Sequence, residues 1–548
     1  MKLIVRETKK KAELVKGRTI LSYLQELGIE INASCGGEGK CGQCLVEVES
    51  ASGALSDKTE AENKFIQSPY RASEKAPPGL AGARAEPVMG RSPTDDRQRL
   101  ACQAIILQID KPIYVQVPRR SFCILESGKY WEIPVVPFVR REGERVFYEL
   151  EEVGEYLGGI YGIALDIGTT TLALYLVDLE TGEVLSVSAR ENPQTKYGNN
   201  VVSRIEFARK GQSILEKEIR TAVNEMISTL TDPKKIYEIV VVGNPVMRDL
   251  FFGYSVESLG KSPYEPLSVE AVHKTAKEIG LTANPKARVY GLPLIGSFVG
   301  ADALAVALAT GMCKSKKISM AIDIGTNTEI VLGNRDRLIA TSCAAGPAFE
   351  GSSITHGICG VSGAIKEVQI ENGKALYKTI GYADPVGICG SGVIDTLAGL
   401  LENQIINGRG KFYSDKKEFN IVGGIGLSEG DIDQLNLAKT AVSVGIKILM
   451  ERYRIELEEI DTLFLAGAFG YYINIENAIR IGLLPAIKLE RVEKVGNAAI
   501  EGARQALISK TKREDAEAVA KRIEHVKLEE EADFIEQFVG ELYFQKYL

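Results

Sequence analysis

The 548-residue chain, 45 % hydrophobic and 25 % charged, has the make-up of an ordinary globular protein too long for a single domain, so two or more are expected. Its net charge of −7 argues against nucleic acid as a partner, and no apolar run approaches the roughly 18 residues that a membrane span needs. A strand-like MKLIVRE at the start speaks against a secretory signal, which makes the cytoplasm the expected compartment.

Residues 1–120 alternate short strands with a short helix. KLIVRE and CLVEVE alternate in strand fashion, TILSYLQELG has helical spacing, and IYVQVP reads as a closing strand. Between the helix and the second strand lie Cys35, Cys41 and Cys44, spaced C-x5-C-x2-C in a glycine-rich loop, and Cys102 follows in RLACQA. Four thiolates are the donor set of a [2Fe–2S] cluster, and the glycines let backbone N–H groups turn toward the sulfurs. The order strand, helix, cysteine loop, strand resembles a β-grasp [2Fe–2S] ferredoxin, and the spacing resembles the adrenodoxin branch more than the plant branch. The stretch from Cys44 to Cys102 is longer than such ferredoxins normally show. Its excess, near 68–97, is rich in Pro, Ala, Gly and Arg without periodicity and reads as a flexible surface insertion. Cys123, Cys313, Cys343, Cys359 and Cys389 are expected to be reduced, buried thiols, and no further ligand shares a zinc-like spacing with His356 and Cys359.

Residues 121–158 read as a linker or reduced middle domain, with YWEIPVVPFV and ERVFYEL as strand-like pieces. From 159 to 548 the pattern is α/β. YGIALDIGTTTLALYLVDLETGEVL is a strand, a polar turn, a second strand and a hairpin; SMAIDIGTNTEIVLG repeats its opening far downstream. GQSILEKEIRTAVNEMISTL and AKTAVSVGIKILMERY are the long helices expected beside these strands. Two copies of one unit, with a boundary near 300–318, are expected to pack around a nucleotide cleft.

A strand ending in Asp-x-Gly-Thr suits a phosphate–metal site. The glycine permits close backbone approach, threonine hydroxyls and N–H groups bond phosphate oxygens, and the aspartate holds Mg2+ through water. Asp166 and Asp323 are therefore the candidates for the cation. Gly168, Thr169, Thr170 and Thr171 in the first loop, with Gly325, Thr326, Asn327 and Thr328 in the second, are the candidates to bind the nucleotide, Thr169, Thr170, Thr326 and Asn327 through its phosphates. Glu329 is a candidate to position the attacking water, with a plain strand-end carboxylate as the alternative. In LFLAGAFGYY, Gly467, Ala468 and Gly470 follow an apolar strand where a nucleoside can lie against the backbone. GADALAVALATGM and GNAAIEGARQAL supply small-residue helices that allow the halves to cross closely.

Together these five elements resemble the acetate and sugar kinase, heat-shock chaperone and actin superfamily of ATPases: two phosphate loops, an adenosine motif and two connector helices. The fold class expected is thus a β-grasp ferredoxin-like domain followed by a duplicated actin-like ATPase. With the cysteine domain in front, the whole chain resembles the reductive activators of corrinoid proteins. YGIALDIGTTT, NPQTKYGNNVVSRI, VVVGNPVM, AAGPAFEGSSITHG, GICGSGVID and FLAGAFG carry that closer likeness. GNPVMRDL departs from the family's usual run after Gly-Asn, so the resemblance assigns those positions no role.

The resemblance implies ATP-driven transfer of one electron from the [2Fe–2S] cluster to a corrinoid protein, returning Co(II) to Co(I), with an external low-potential donor refilling the cluster. A ferredoxin-type cluster near about −400 mV must then deliver its electron uphill, and each 100 mV costs about 2.3 kcal/mol. In the same scheme Ser342, in the loop TSCAAGPAFEG, is a candidate for contact with the corrinoid. A small-molecule kinase and an ATP-dependent activator of some other low-potential enzyme stay open as alternatives, as does assembly into a homodimer.

Overall fold

The computed structural model describes residues 1–6, 9–29, 31, 44–51, 53–62, 97–117, 129–198, 200–351, 353–545 and 547. Cys35, Cys41, Cys123 and nearly all of the 68–97 insertion lie outside the described residues. The chain divides into two compact units, Met1–Ser121 with Glu418–Leu427, and Phe122–Lys417 with Ser428–Leu548.

In the first unit β1 (Lys2–Val5), β2 (Lys11–Glu13), β3 (Leu45–Glu49), β4 (Gln98–Leu100) and β5 (Ile113–Gln116) form one sheet in the order β2-β1-β5-β3-β4. β1 and β5 run parallel and the other pairs antiparallel, which is the β-grasp arrangement expected. The helix Ile20–Glu26 buries Ile20, Leu21, Tyr23 and Leu24 in the core beneath the sheet, and its start is fixed by Thr19, whose side chain accepts from the Ser22 N–H.

The second unit opens with the sheet β6 (Val139–Glu142), β7 (Arg145–Tyr148), β8 (Glu151–Glu155). YWEIPVVPFV, expected as a strand, is one only at its last residue. Pro134 and Pro137 remove ladder donors, and apart from an isolated bridge between Val136 and Ser509 the segment runs unpaired to β6. It is pinned instead by side chains, since Arg504 donates to the Trp131 carbonyl at 2.9 Å.

β9 (Tyr161–Ile167), β10 (Thr171–Asp178), β11 (Val184–Glu191), β12 (Ile236–Gly243), β13 (Val272–Thr275) and β14 (Arg288–Gly291) make a sheet of order β11-β10-β9-β12-β14-β13. β15 (Ser319–Asp323), β16 (Thr328–Gly333) and β17 (Leu338–Cys343) begin the next. After a small sheet of β18 (Ala364–Glu371), β19 (Lys374–Thr379) and β20 (Gly387–Ile388), and the hairpin β21 (Glu418–Val422) and β22 (Ile425–Ser428), that sheet is completed by β23 (Thr462–Ala466), β24 (Val492–Gly496) and β25 (Glu524–His525). Its order β24-β23-β15-β16-β17-β25 repeats the first, with β17-β16-β15-β23-β24 matching β11-β10-β9-β12-β14 strand for strand. Internal duplication is therefore a property of the backbone as well as of the sequence. β9, β12, β15 and β23 are almost wholly apolar because helices cover both faces of each sheet. Among those helices are Val201–Leu230 and Glu429–Tyr453, which contain the two long helical stretches expected. No helix among the described residues is long and apolar enough to cross a membrane.

The two sheets are joined by crossing helices, Ala301–Thr310 and Ala498–Ile508. A Cβ on Gly502 would stand 2.2 Å from the Ala305 carbonyl oxygen, so backbone meets backbone there. The small residues of both connector segments exist to permit that approach.

Candidate functional site

Both Asp-Gly-Thr loops sit at strand ends next to these crossing helices. Asp166 is the penultimate residue of β9 and Asp323 the last of β15. In the first loop the Gly168 N–H donates to the Thr171 carbonyl at 2.9 Å, closing a turn in which a Cβ on residue 168 would lie 2.7 Å from that oxygen. Asn192 donates to the Gly168 carbonyl at 2.8 Å, and Asn244 donates to the Thr169 hydroxyl at 3.0 Å. Arg204, fully buried, donates to the Thr169 carbonyl; burial lowers this guanidinium to about 9. Asn192, Arg204 and Asn244 thus fix the loop from three directions.

The two loops meet. Thr170 Oγ1 and Thr326 Oγ1 are 3.3 Å apart, and both donate to Glu350 Oε2, at 3.2 and 2.8 Å. Asn497, at the start of the second connector helix, accepts from the Ile500 N–H and donates to Asp166 Oδ2 at 2.9 Å, so one side chain caps a helix and orients a carboxylate.

The carboxylates form a like-charge group. Burial pushes Asp166 up to about 6. Asp302, in the first turn of the first connector helix, rises to about 7 through burial, with Asp166 adding to it. Asp323 rises to about 8 through burial, then the charges of Asp302 and Asp166. Glu329 pairs directly with Asp323 across β15 and β16, and Ser342 pairs with Glu329 across β16 and β17, donating to Glu329 Oε1 at 3.2 Å. Glu329 is buried, and its carboxyl is held well above its ordinary value by burial and by Asp302 and Asp323. Such clustering favours a divalent cation, which would relieve the repulsion. Among the described residues no three acidic, His or Cys side chains are placed to ligate a metal directly.

Gly467 follows β23, which pairs with β15 so that Ala466 lies beside Asp323. Its φ of +84° is left-handed, and a Cβ there would lie 2.6 Å from Asp323 Oδ1, so only glycine lets this loop approach the carboxylate. Gly470 packs on Leu465, while the Ala468 side chain lies outside the description. Thr328 is the first residue of β16 and fully buried, and its hydroxyl has no hydrogen-bond partner within the protein. Thr171 contributes its carbonyl to the turn; Gly325 and Asn327 are partly exposed at the second one. Asp302, Glu350, Asn244, Arg204 and Asn497 belong to the site but carry no role in the sequence reading.

In the first unit Cys44 and Cys102 are both buried. The antiparallel register pairs Leu45 with Leu100, and the Ala101 N–H donates to the Cys44 carbonyl at 2.8 Å. Both cysteines are therefore held at the same end of the β3–β4 pair. The Gln103 side-chain amide donates to Cys102 Sγ at 3.5 Å. Buried sulfurs with an amide donor suit a [2Fe–2S] cluster, in which N–H donors to sulfur help set the potential. Cys313, Cys343 and Cys389 are free and buried, as expected; Cys359 is partly exposed.

Comparison with known proteins places this geometry. Residues 3–76 match the 2Fe-2S iron-sulfur cluster binding domain, 161–315 the RACo middle region, and 317–547 the C-terminal domain of RACo, described as its ASKHA domain. The corrinoid activation enzyme RamQ of Eubacterium limosum is 31 % identical over 94 % of both chains. The chain belongs to the family of reductive activators of corrinoid proteins. A second relative, the [Co(II) methylated amine-specific corrinoid protein] reductase of Methanosarcina barkeri, is 30 % identical over 66 % of this activator and 73 % of its own length. A solved structure described as a reductive activator for corrinoid, iron–sulfur protein matches 99 % of this activator and 98 % of its own chain, with a TM-score of 0.69 at 28 % identity. The expected pairing of a ferredoxin-like domain with an actin-like ATPase is borne out in this activator.

Proposed function

We propose that the chain uses ATP to drive one-electron reduction of a corrinoid protein, restoring its inactive Co(II) to Co(I). The observation that carries this reading is the meeting of the two Asp-Gly-Thr loops, Thr170 against Thr326, in a chain that also holds Cys44 and Cys102 at one end of a strand pair.

Cys44 and Cys102, with Cys35 and Cys41, would hold the [2Fe–2S] cluster. When bound, that group accepts a single electron from an external low-potential donor and passes it on. In the ATPase unit Asp166, Asp302 and Asp323 would hold Mg2+, which when bound would offset charge on the phosphates. Thr169, Thr170 and Thr326 offer hydroxyls to the phosphates, and Gly467 with Gly470 frames the nucleoside. Burial, Asp302 and Asp323 disfavour the charge of Glu329, a repulsion that a bound cation would relieve, and the ionised Glu329 carboxylate is the group placed to take a proton from the attacking water. Ser342 orients that carboxyl through its hydroxyl, a use that stands against the corrinoid contact considered for it.

ATP lifts the electron uphill only by favouring one arrangement of activator and partner over another, because a ligand equally attracted to both shifts nothing. A gap of about 200–300 mV corresponds to roughly 5–7 kcal/mol. The test is anaerobic reduction of a purified Co(II) corrinoid protein, followed by the Co(I) visible spectrum with and without Mg-ATP. Co(I) forms only with nucleotide; equal reduction without it overturns the proposal.

A further inference from the structure

Among the described residues, Glu350 is the one carboxylate that accepts hydrogen bonds from both phosphate loops. A threonine hydroxyl has a single proton to donate. Those of Thr170 and Thr326 are directed at the same oxygen, Glu350 Oε2, at 3.2 and 2.8 Å. A phosphoryl oxygen bound by these two hydroxyls must accept the hydrogen bonds that Glu350 now accepts. A carboxylate oxygen receiving two converging hydroxyls reproduces the acceptor geometry of a phosphate, with the same sign of charge.

The segment around Glu350 is bounded by two left-handed glycines. Gly346 and Gly351 flank it with φ of +73° and +82°, and the Gly346 N–H donates to the Thr326 carbonyl at 2.9 Å. Phe349, next to Glu350, stacks on Phe469 of the nucleoside loop with centroids 5.8 Å apart and planes at 24°. Its carbonyl oxygen would lie 2.0 Å from a Cβ on Gly390, the first residue of the helix Gly390–Glu402. One short segment therefore touches both phosphate loops, the nucleoside loop and a helix start.

We propose that Glu350 is a built-in phosphate mimic that competes with the nucleotide for Thr170 and Thr326, so that nucleotide binding displaces the 346–351 segment. The proposal rests on the reading of these threonines as phosphate contacts and needs nothing from the corrinoid partner. Displacement of Glu350 then carries the presence of phosphate to Phe349, and through it to Phe469 and the helix at Gly390.

The test is equilibrium binding to the full chain by calorimetry, with Mg-ADP and with adenosine as probes. Releasing two hydrogen bonds to a charged acceptor makes Glu350→Ala bind Mg-ADP at least about tenfold more tightly, while adenosine affinity stays put. Glu350→Gln, which keeps an oxygen acceptor but loses the charge, falls between. If Mg-ADP affinity is unchanged or weaker in a Glu350→Ala protein of native circular dichroism, the mimic is refuted; equal tightening of adenosine refutes it too. Should the alanine variant fail to fold, Glu350→Gln alone decides, by tightening Mg-ADP or not. Because cobalt plays no part, loss of corrinoid reduction leaves these binding results standing.

Discussion

Asp166, Asp302 and Asp323 stand above their ordinary carboxyl values for a shared reason, burial next to one another. A carboxyl raised on folding binds its proton more tightly folded than unfolded. The group therefore leaves stability untouched below the unfolded value near about 4, and destabilises the fold progressively as pH rises through its folded value. For these three the loss runs from about pH 4 to about 8, where Asp323 ionises. Thermal unfolding of the full chain at about pH 5.5 and about pH 8.5 is expected to show a lower midpoint at the higher pH, and Asp323→Asn is expected to flatten that slope. An identical slope in the variant counts against the carboxylate group as its source. Mg-ADP is expected to recover more stability at the higher pH, where the cation meets three charges.

At the scale of elements, the crossing of Ala301–Thr310 with Ala498–Ile508 depends on there being no side chain at residue 502. Gly502→Val forces a branched side chain against the Ala305 carbonyl and is expected to destabilise by roughly 1–3 kcal/mol. It also spreads the two loops, so nucleotide affinity falls further than stability alone explains. Chemical denaturation beside nucleotide titration checks both, and unaltered affinity in the folded variant would detach the crossing from the site. Much of this was legible beforehand, because Asp166, Asp323 and Gly467 sit in motifs whose chemistry is local. Asp302 was not singled out, since it lies in a segment, GADALAVALATG, whose small residues point first to packing; its acidity matters only once the helix start lies near β9 and β15. Glu350, Asn244 and Asn497 act across long sequence separations, and only the fold brings them to Thr170, Thr169 and Asp166.

Over the whole molecule, cysteine unit and ATPase unit divide the labour. Cys102→Ser is expected to abolish the visible absorption of the cluster and all corrinoid reduction, while nucleotide binding by the other unit keeps its wild-type affinity. Absorption spectra of anaerobically purified protein beside Mg-ADP calorimetry check this; a full cluster spectrum in the variant removes Cys102 from the ligand set.

The repeated strand order has a geometric corollary. A doubled unit places its seam on an approximate twofold axis, yet ATP has two unlike ends and no twofold symmetry of its own. Perfect copies would accept the nucleotide pointing either way. Ala173, opposite Asp166 in β10, occupies the register position that Glu329 takes opposite Asp323 in β16, so one half offers hydrocarbon where its twin offers an acid. With Thr170 standing where the second loop has Asn327, such mismatches break the twofold choice and would give a bound nucleotide a heading.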